Sequence, residues 1–420
     1  MNIIDELEWR GAINQQTDPE GLRDYVENHK ISLYCGVDPT GDSLHIGHLI
    51  PFIMLKRFQL AGHRPVILIG GATGTIGDPS GKSEERQLQS LDKVNDNARK
   101  LSEQMKKLFL KDPEADFRMV NNYDWTKDIS LLEFLRTAGK RFNVNTMLAK
   151  DIVASRLEVG ISFTEFAYQI LQSMDFLHLY QEEDVRLQIG GADQWGNITS
   201  GLDYIRKVEG PEAQAFGLTI PLMLKADGTK FGKTAGGAVW LDPEKTSPYE
   251  FYQFWVNQQD ADVVKYLKYF TFLDQEEIAN YAEKVANEPE KREAQKALAE
   301  EMTRFVHGEE GLKDALAITD ALFKGDIKQL TAQQIEQGFG KMPGKTMPKQ
   351  AANLAVWLVD SEVESSRRQS REDIQNGAIY INGERIQDLD YEISEADAIE
   401  GRYIVVRRGK KKYFLITLAG

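Results

Sequence analysis

Apolar and polar positions in the first half of the chain predict short buried strands that alternate with helices. Residues 31–37 (ISLYCGV) and 64–71 (RPVILIGG) have the length of buried strands, and residues 43–62 between them predict a helix capped by Ser43. The order strand, helix, strand predicts a parallel βαβ unit with a right-handed crossover. A third apolar run, residues 185–191 (VRLQIGG), leads into another predicted helix. Because ligands bind outside the carboxyl ends of parallel strands, we expect a binding site there.

The segments that follow differ in composition and pattern. Residues 83–180 are mostly helical in pattern and too long for one crossover, which predicts a helical insertion into the sheet domain. A helical, acidic region comes later, and a stretch rich in glycine and proline after it predicts a linker. The last part predicts two helices, short strands and a final hairpin. The fold class is therefore α/β, with a parallel-sheet domain, a loop segment, an all-α domain, a linker and a small α+β domain at residues 1–222, 223–245, 246–324, 325–348 and 349–420.

Composition adds two constraints to this picture. The 420 residues include 51 basic and 65 acidic side chains, a formal net charge of −14, which argues against an ordinary nucleic-acid binder. Cys35 is the single cysteine, so no internal disulfide can form, as is typical of a reducing cytoplasm. The acidic start MNIIDELEWRG lacks a signal-peptide pattern, and no apolar run approaches the roughly 20 residues of a membrane span. We therefore expect a cytoplasmic protein without membrane insertion.

A glycine-rich run at residues 70–86 (GGATGTIGDPSGKSEER) suggests phosphate binding at first sight. The P-loop spacing would require a glycine at the position of Ile76, and no strand closely precedes Gly81, so this run is not a P-loop. Lys82 and Arg86 can still contact phosphate, one as a point charge and the other as a planar fork. An ordinary flexible loop is the alternative.

Two histidines open the helix that follows the first predicted strand. His45 and His48 are three residues apart, so they share a face in the first turn, where backbone N–H groups and the helix dipole attract anions. Gly47 between them would let a flat nucleotide approach the backbone, and neutral imidazoles can hydrogen-bond phosphate oxygens. A capped helix with two half-buried histidines is the simpler alternative. A metal pair is disfavoured because no carboxylate or cysteine has metal-ligand spacing.

A second cationic motif occurs about 185 residues later. Lys230, Lys233 and Thr234 belong to KFGKT, which Ala-Gly-Gly follows. Such a loop can close over a polyphosphate and supply charge where it develops in a transition state. Taken alone, the motif is equally well explained as a solvated turn.

Together these motifs resemble those of a known family. HIGH at residues 45–48, read with KFGKT as a variant of KMSKS on a βαβ frame, is similar to the signature of class I aminoacyl-tRNA synthetases. YCGVDPT, GDPSGKSEER, QIGGADQWGN and KFGKT resemble the bacterial tyrosyl-tRNA synthetases, and the resemblance covers essentially the whole chain. KFGKT departs from KMSKS at Phe231, Gly232 and Thr234, a departure usual in this family, and both lysines remain.

The resemblance implies a Rossmann-like catalytic domain that joins tyrosine to ATP as tyrosyl-adenylate and then transfers the tyrosyl group to the 3′ end of tRNA(Tyr). Mg²⁺ is implied with ATP, and no tightly bound protein metal. Catalytic contacts to phosphate and ribose are implied for Thr40, His45, His48, Lys82, Arg86, Lys230, Lys233 and Thr234. Further ATP contacts are implied for Cys35, Gly36, Asp38, Gly47, Gly191 and Asp193. Tyrosine contacts are implied for Tyr34, Asp78, Tyr168, Gln172, Asp175 and Gln194.

Within the implied tyrosine site, Tyr34 and Asp175 would hold the substrate phenol, and Asp78, Tyr168 and Gln172 its ammonium group. Tyr168, Gln172 and Asp175 recur at helical spacing in FAYQILQSMDFLHLY, a pattern that an ordinary amphipathic helix also has. A pocket that pairs buried polar groups with a hydroxyl rejects the analogue without it, and tyrosyl-tRNA synthetases are themselves the standard example. Attack of a carboxylate on the α-phosphate needs positioning and charge neutralisation more than acid–base groups, which the implied residues suit.

The tail carries its own cationic residues. Residues 349–420 hold 11 basic and 12 acidic side chains, against 40 and 53 in the residues before them. Their pattern, with NGERI, resembles an RNA-binding domain shared with a small-subunit ribosomal protein. RNA contacts are implied for Arg367, Arg368, Arg371, Arg407, Arg408, Lys410, Lys411 and Lys412. For the tail alone, a charged and solvated surface is the alternative.

The resemblance also implies a homodimer joined through the insertion, and three other functions compete with it. A tRNA-independent nucleotidyltransferase that shares only the histidine helix would leave the lysine loop without a purpose. A tryptophanyl-tRNA synthetase is disfavoured, because the indole of tryptophan has no hydroxyl for Tyr34 and Asp175 to hold. A retired RNA-binding scaffold would be expected to have lost its histidine or lysine motif, and both are intact.

Overall fold

A computed structural model of the chain describes residues 1–80, 87–109, 116–234 and 237–419. The chain forms two compact units, one of Met1–Asp242 with Gln259–Ala294 and the other of Pro243–Gln258 with Gln295–Gly420. The chain therefore leaves the first unit, contributes one helix to the second, and returns before it departs again. No helix of the described segments is long and apolar enough to cross a membrane.

The helices and strands are numbered here in chain order. The helices are α1 (Ile3–Trp9), α2 (Pro19–Asn28), α3 (Ile46–Leu60), α4 (Leu91–Phe109), α5 (Tyr123–Thr126), α6 (Leu131–Arg136), α7 (Val144–Leu148), α8 (Asp151–Ala154), α9 (Phe163–Glu182), α10 (Trp195–Glu209), α11 (Pro248–Val256), α12 (Asp260–Phe270), α13 (Gln275–Asn287), α14 (Glu293–Lys324), α15 (Ala332–Phe339), α16 (Leu354–Asp360) and α17 (Arg367–Gln375). The strands are β1 (Gln15–Gln16), β2 (Ser32–Val37), β3 (Arg64–Ile69), β4 (Arg118–Asn121), β5 (Val185–Gly191), β6 (Phe216–Ile220), β7 (Lys233–Thr234), β8 (Gly237–Ala238), β9 (Gly344–Pro348), β10 (Ala352–Asn353), β11 (Ile379–Ile381), β12 (Glu384–Ile386), β13 (Glu392–Ile393), β14 (Tyr403–Arg408) and β15 (Lys412–Ala419).

A six-stranded sheet in the order β1-β6-β5-β2-β3-β4 forms the centre of the first unit. All neighbouring pairs are parallel except β1 with β6. The chain builds outward from β2 through β3 to β4 and then returns to the other side of β2 to place β5 and β6. This reversal creates a switch point between β2 and β5, where open α/β sheets bind their ligands.

The predicted βαβ unit is confirmed in β2, α3 and β3, whose strands pair in parallel from Ser32 opposite Arg64 to Val37 opposite Ile69. The predicted cap of the helix is wrong. His45 is the N-cap of α3, because its ring accepts a hydrogen bond from the backbone of Gly47, whereas the Ser43 hydroxyl bonds the Leu44 carbonyl at 2.9 Å. The helix therefore begins two residues later than Ser43 would place it.

The segment at 83–180, predicted as a helical insertion, contains a strand of the main sheet. β4 pairs in parallel with β3, so α4 before it is an ordinary crossover. The strand was missed because its four residues, RMVN, are short, partly exposed and half polar. α9, near the end of the segment, packs Phe176 and Leu179 into the core against β2, β3 and β5. Only the short helices between β4 and α9 fit the idea of an insertion.

The predicted linker at 325–348 is wrong. It contains α15 and β9, and β9 pairs in parallel with β15 from Gly344 opposite Leu415 to Pro348 opposite Ala419. α15 buries Ile335 and Phe339, which are four residues apart and so share one helix face. Because glycine and proline also occur at turns and on edge strands, their frequency alone did not identify a linker.

The predicted all-α domain at 246–324 does not form one unit. α12 belongs to the first unit, where Phe231 packs on Tyr266 and Phe270 with 5.0 Å between ring centroids in each pair. α11 belongs to the second unit, where Phe251 meets His307 of α14 edge-on at 4.9 Å. The helical pattern was right, but packing partners divided the helices between the units.

The second unit ends in the α+β arrangement that the tail pattern predicted. Its five-stranded sheet has the order β12-β11-β14-β15-β9, and β14 and β15 form the predicted hairpin. α16 and α17 are the two predicted helices, and Trp357, Leu358 and Ile374 join the core beneath the sheet.

Candidate active site

A cavity of about 280 Å³ opens in the first unit at the carboxyl ends of β2 and β5. Its walls come from the ends of these two strands, from the first turn of α3 and from one face of α9. It therefore lies at the switch point of the sheet, at the edge where the strand pattern predicted a binding site.

Two buried polar side chains, Asp175 and Tyr34, line one end of the cavity. Asp175 of α9 accepts hydrogen bonds from Asn122 Nδ2 and Trp125 Nε1, each at 2.9 Å. Burial raises the pKa of Asp175 to about 7, although these two donors act in the opposite direction. Tyr34 of β2 is 1% exposed, and its hydroxyl has no hydrogen-bond partner among the described residues. A ligand hydroxyl can donate to Asp175 and accept from Tyr34, which satisfies both groups at once.

A hydrogen-bonded chain connects this end to the middle of the cavity. Asn122 Nδ2 also donates to Thr73 Oγ1 at 2.9 Å, Thr73 donates to Asp38 Oδ1 at 2.7 Å, and Tyr168 donates to Asp38 Oδ2 at 2.8 Å. A Cβ atom on Gly70 would lie 2.0 Å from Asp38 Oδ1, so only glycine fits beside this carboxylate. The chain fixes the orientation of each polar group before a ligand arrives.

A second polar cluster surrounds Asp78. Gln194 Nε2 donates to Asp78 Oδ2 at 2.8 Å, and Gln172 Nε2 donates to Gln194 Oε1 at 3.2 Å. The backbone N–H of Ser80 donates to Asp78 Oδ1 at 2.9 Å. These bonds place a carboxylate and two amides on the cavity wall, a set suited to an ammonium and a carboxylate of the same ligand.

The two histidines at the start of α3 hold each other in place. His45 Nδ1 accepts from the Gly47 N–H at 3.1 Å, His48 Nδ1 accepts from the His45 N–H at 3.2 Å, and the ring centroids are 3.9 Å apart. Burial, with a smaller contribution from His45, lowers the pKa of His48 to about 3. His48 is therefore neutral at physiological pH, and because Nδ1 accepts, Nε2 carries the proton and is the donor.

Gly47 has a steric role that differs from the sequence interpretation. A Cβ atom at this position would lie 2.8 Å from His45 Cε1 and 3.0 Å from His45 Nδ1. The glycine therefore makes room for the histidine ring that caps the helix. Cys35 nearby is also neutral, because burial raises the pKa of its thiol to about 12.

The lysine motif is held beside the start of α3. The Ile46 N–H donates to Val239 O at 3.0 Å, and the Leu241 N–H donates to Leu44 O at 2.9 Å. Gly232 has a φ of 97°, and a Cβ atom added to it would lie 3.4 Å from Ile46 Cγ1. Two motifs about 185 residues apart in sequence thus become neighbours at one edge of the cavity.

Comparisons with protein families identify the kind of protein. A family model of class I tRNA synthetases (W and Y) matches residues 26–324, and a model of the SYY-like C-terminal domain of tyrosine–tRNA ligase matches residues 334–416. The chain belongs to the class I tRNA synthetases. Among curated proteins, this synthetase is 69% identical over 418 residues to Tyrosine–tRNA ligase 2 of Bacillus cereus, with 100% of each chain covered. It is 68% identical over 415 residues to Tyrosine–tRNA ligase 1 of Enterococcus faecalis, with 99% of each covered.

Solved structures agree on the fold of the synthetase. A C-terminally truncated mitochondrial tyrosyl-tRNA synthetase of Aspergillus nidulans matches with a TM-score of 0.70 at 31% identity, over 77% of this chain and 94% of that one. A tyrosyl-tRNA synthetase from Archaeoglobus fulgidus, 16% identical, matches with a TM-score of 0.56 and supports the fold alone. The resemblance stated from the motifs and the predicted α/β fold class are confirmed.

The synthetase cavity brings most of the predicted site residues together. Thirteen of them line it, namely Tyr34, Cys35, Gly36, Asp38, Thr40, His48, Asp78, Tyr168, Gln172, Asp175, Gly191, Asp193 and Gln194. His45 and Gly47 adjoin it at the start of α3, and Lys230 is exposed. Lys82 and Arg86 lie outside the described residues. For Lys233 and Thr234 the structure describes the backbone, which forms β7.

The predicted RNA-binding residues of the synthetase tail have unlike surroundings. Six of the eight are exposed, on α17 and at the β14–β15 turn: Arg367, Arg368, Arg371, Lys410, Lys411 and Lys412. Arg407 is half-buried over the ring of Tyr380. Arg408 forms ion pairs with two carboxylates of its own chain, Asp373 and Glu364. Both ion pairs are made through Nε, and the prediction that Arg408 contacts RNA directly stays a prediction.

Sequence reasoning missed several polar residues of the synthetase site. Thr73, Asn122 and Trp125 complete the hydrogen-bonded chain to Asp175, and Gln188 of β5 lines the cavity. Thr73 lies inside the glycine-rich run, which was a usable signal. Asn122 and Trp125 follow β4, so locating that short strand would have placed them at the same sheet edge.

Proposed function

We propose that this chain is a tyrosine–tRNA ligase, which joins L-tyrosine to ATP as tyrosyl-adenylate and transfers the tyrosyl group to the 3′ end of tRNA(Tyr). One observation carries the amino-acid assignment. Tyr34 and Asp175 offer a buried donor and a buried acceptor at one end of a cavity whose other end has neutral His48. The names of the relatives that are 68–69% identical over the whole chain support the same conclusion.

Tyrosine would bind with its ring between β2 and α9. Its phenol donates to Asp175 and accepts from Tyr34, while its ammonium lies against Asp78, Tyr168 and Gln172. Gln194, which already bonds Asp78, is placed for the carboxylate that reacts. The preformed chain through Asp38 holds Tyr168, so little ordering cost remains when the substrate binds.

ATP would bind across the carboxyl ends of β2 and β5. Gly36, Gly191, Cys35 and Asp193 are proposed to contact the ribose and base, and Asp38, which also accepts from Tyr168, is proposed as a further ATP contact. A carboxylate oxygen of tyrosine attacks the α-phosphorus, and the bond to pyrophosphate breaks. Mg²⁺ enters with ATP as part of the substrate, and no group of three or more candidate metal ligands occurs in the part of the chain that the structure describes.

The reaction needs donors where negative charge grows on the phosphates. His45 and His48 are proposed to donate through Nε2, since Nδ1 of each accepts a backbone hydrogen bond. Thr40 adds a hydroxyl at the same edge. Around the leaving pyrophosphate we place the cations and hydroxyl that remain, namely Lys82, Arg86, Lys230, Lys233 and Thr234. The 3′-terminal ribose hydroxyl of tRNA then attacks the tyrosyl carbonyl, and AMP leaves.

The protein is further proposed to be a cytoplasmic homodimer. Leu131 and Leu132 at the start of α6 are each 71% exposed, and Phe163 at the start of α9 is 72% exposed. They adjoin an apolar groove of about 400 Å³ that Phe134 and Met174 also line. Monomers rarely leave such a surface in water, and a second copy would cover it. Sedimentation that finds a fully active monomer would contradict this part of the proposal.

Tyrosine-dependent exchange of pyrophosphate into ATP tests the proposed activity. We expect exchange with tyrosine and very little with phenylalanine or tryptophan, since neither can satisfy Tyr34 and Asp175. Charging of tRNA(Tyr) with radiolabelled tyrosine tests the second step. Equal exchange with phenylalanine, or no exchange with tyrosine, would rule out the proposed function.

A further inference from the structure

The cations of the second unit fall into two groups. Several are neutralised by a carboxylate of the same chain, as Lys345 is by Glu362 and Lys349 is by Glu395, each at 2.6 Å. Within the described residues, no ion pair is found for the three arginines of α17, for Arg407, or for residues 410–412. Only a cation that is still accompanied by solution anions or free to meet a phosphate contributes to salt-dependent RNA binding.

Arg408 belongs to the neutralised group, although its neighbours in sequence do not. Its Nε donates to Asp373 Oδ2 at 2.9 Å and lies 2.9 Å from Glu364 Oε1, whose side chain is fully buried. Gln369 Nε2 holds the other oxygen of Asp373 at 2.9 Å. Asp373 and Gln369 are on α17 and Arg408 is on β14, so this cluster joins the helix to the hairpin.

Arg407 has a different environment from Arg408. Tyr380 of β11 is directly opposite Arg407 in the sheet, and the guanidinium carbon lies 3.7 Å from the centre of the tyrosine ring. Burial leaves Arg407 Nε without a hydrogen-bond partner in the described chain. Stacking fixes the plane of this guanidinium while its charge stays unpaired, which suits a contact to phosphate.

The unpaired cations form two sets, one on α17 (Arg367, Arg368 and Arg371) and one at the β14–β15 turn (residues 410–412). The ion-paired cluster of Arg408, Asp373 and Glu364 is called the clasp here, and its Asp373 and Arg408 lie between the two sets in sequence. Arg371 is two residues before Asp373, and Lys410 is two residues after Arg408. The backbone supports the same junction, where the Gly409 N–H donates to Ala378 O at 2.7 Å. Loss of the clasp would let α17 and the hairpin turn separate, and each set would then meet the RNA alone.

We propose that Arg408 is a positioning residue and not an RNA contact: its clasp holds α17 against β14 so that both sets of unpaired cations, with Arg407 on Tyr380, form one surface for the phosphate backbone of tRNA. This inference rests on the proposed ligase function, because that function supplies the RNA. The partner is recognised by its phosphates, so sequence preference is not expected from this surface.

The substitution Asp373→Asn should change tRNA affinity in opposite directions if Arg408 is an RNA contact and if it is a positioning residue. It removes a negative charge from a surface that binds a polyanion, so tRNA(Tyr) should bind more tightly if Arg408 were a phosphate contact that the change sets free. If Arg408 is a positioning residue, the same change should weaken tRNA binding about 5- to 10-fold in a filter or fluorescence titration. Asp373→Glu keeps a carboxylate and should restore most of the affinity. Glu392→Gln, at an exposed position, changes the charge equally and should leave the affinity unchanged or slightly higher.

The salt dependence of binding gives an independent measurement. Arg407→Gln should reduce the slope of log affinity against log salt by about 1, because one phosphate contact is lost. Arg408→Gln should weaken binding and reduce the slope by about 2 or more, because separation of the two sets removes several phosphate contacts at once. Circular dichroism and thermal melting identify a variant that fails to fold, and the remaining variants then decide the question.

Two outcomes overturn the proposal. Tighter or unchanged tRNA binding by folded Asp373→Asn would do so, and so would a slope loss of about 1 for Arg408→Gln. Failure of the ligase function has a different signature, since the unaltered chain would then show no tyrosine-dependent exchange and no binding of tRNA(Tyr). Tyrosine-dependent exchange by every tail variant should equal that of the unaltered chain, because the adenylation cavity belongs to the first unit.

Discussion

Replacing Asp175 with asparagine should raise the stability of the free protein at alkaline pH and weaken tyrosine binding. Asp175 is fully buried, and that burial raises the pKa of its carboxyl to about 7 from an ordinary 3.8. The unfolded chain therefore releases this proton at a lower pH than the folded chain does. Stability is unaffected below the ordinary pKa and falls as the pH rises towards 7, because only the folded state must bury the charge.

The size of the effect follows from the difference in pKa. At about 1.36 kcal/mol for each pH unit, a rise from 3.8 to about 7 costs the folded state about 4 kcal/mol once the pH exceeds 7. Asparagine removes this cost. It has a single acceptor oxygen, so the N–H of either Asn122 or Trp125 loses its partner at a cost of about 1–3 kcal/mol. We expect the variant to be about 1–3 kcal/mol more stable at pH 8 and less stable, or equal, at pH 4.5.

Tyrosine affinity should change in the opposite direction. The carboxylate accepts a charge-assisted hydrogen bond from the substrate phenol, and such bonds contribute about 1.5–3 kcal/mol. Asparagine can still accept from the phenol through its one oxygen, but that bond is not charge-assisted and shares the oxygen with Asn122 or Trp125. Tyrosine should therefore bind about 10- to 100-fold more weakly at pH 8.

Thermal melting at pH 4.5 and pH 8, with and without tyrosine, measures both effects. Because the chain has two units, the relevant transition is the one that tyrosine shifts. Asp203→Asn, at an exposed position on α10, is the matched control and should leave stability and tyrosine affinity unchanged. A stability difference that does not vary with pH, or unchanged tyrosine affinity, would refute the reasoning.

Three further predictions concern the rest of the chain. Gly47→Ala should displace the His45 ring, because its Cβ would lie 2.8 Å from Cε1, and slow adenylation about 10- to 100-fold at unchanged tyrosine affinity; loss of tyrosine binding alone would contradict this. Lys233→Ala should lower the adenylation rate about 100-fold without changing the Kd of tyrosine, as single-turnover kinetics and equilibrium dialysis can show. Deleting residues 349–420 should spare pyrophosphate exchange, reduce tRNA charging at least tenfold, and expose Ile335 and Phe339 to a fluorescent apolar dye; normal charging would remove the tail's role.

The histidine and lysine motifs, the βαβ unit and the tail hairpin could all be predicted from the sequence. Each has a local signal, such as a strand-length apolar run, a helix start with anion-binding chemistry, or a family motif. Thirteen of the predicted substrate-site residues line one cavity, because the parallel strands bring their carboxyl ends together and α3 and α9 border the same edge. The strand β4 was missed because four partly exposed residues give no clear period.

Other features were decided only by tertiary structure. Asn122 and Trp125 matter because they meet a carboxylate about 50 residues away, and no local pattern encodes such a partner. Glycine and proline suggested a linker at 325–348, but pairing with β15 and the burial of α15 made it part of a core. Arg407 and Arg408 are adjacent and identical in type, yet one stacks on Tyr380 and the other is bound by Asp373 and Glu364. The sequence thus determined which kinds of chemistry were present, and the fold decided which groups were already paired, because burial and hydrogen bonding depend on neighbours that are distant along the chain.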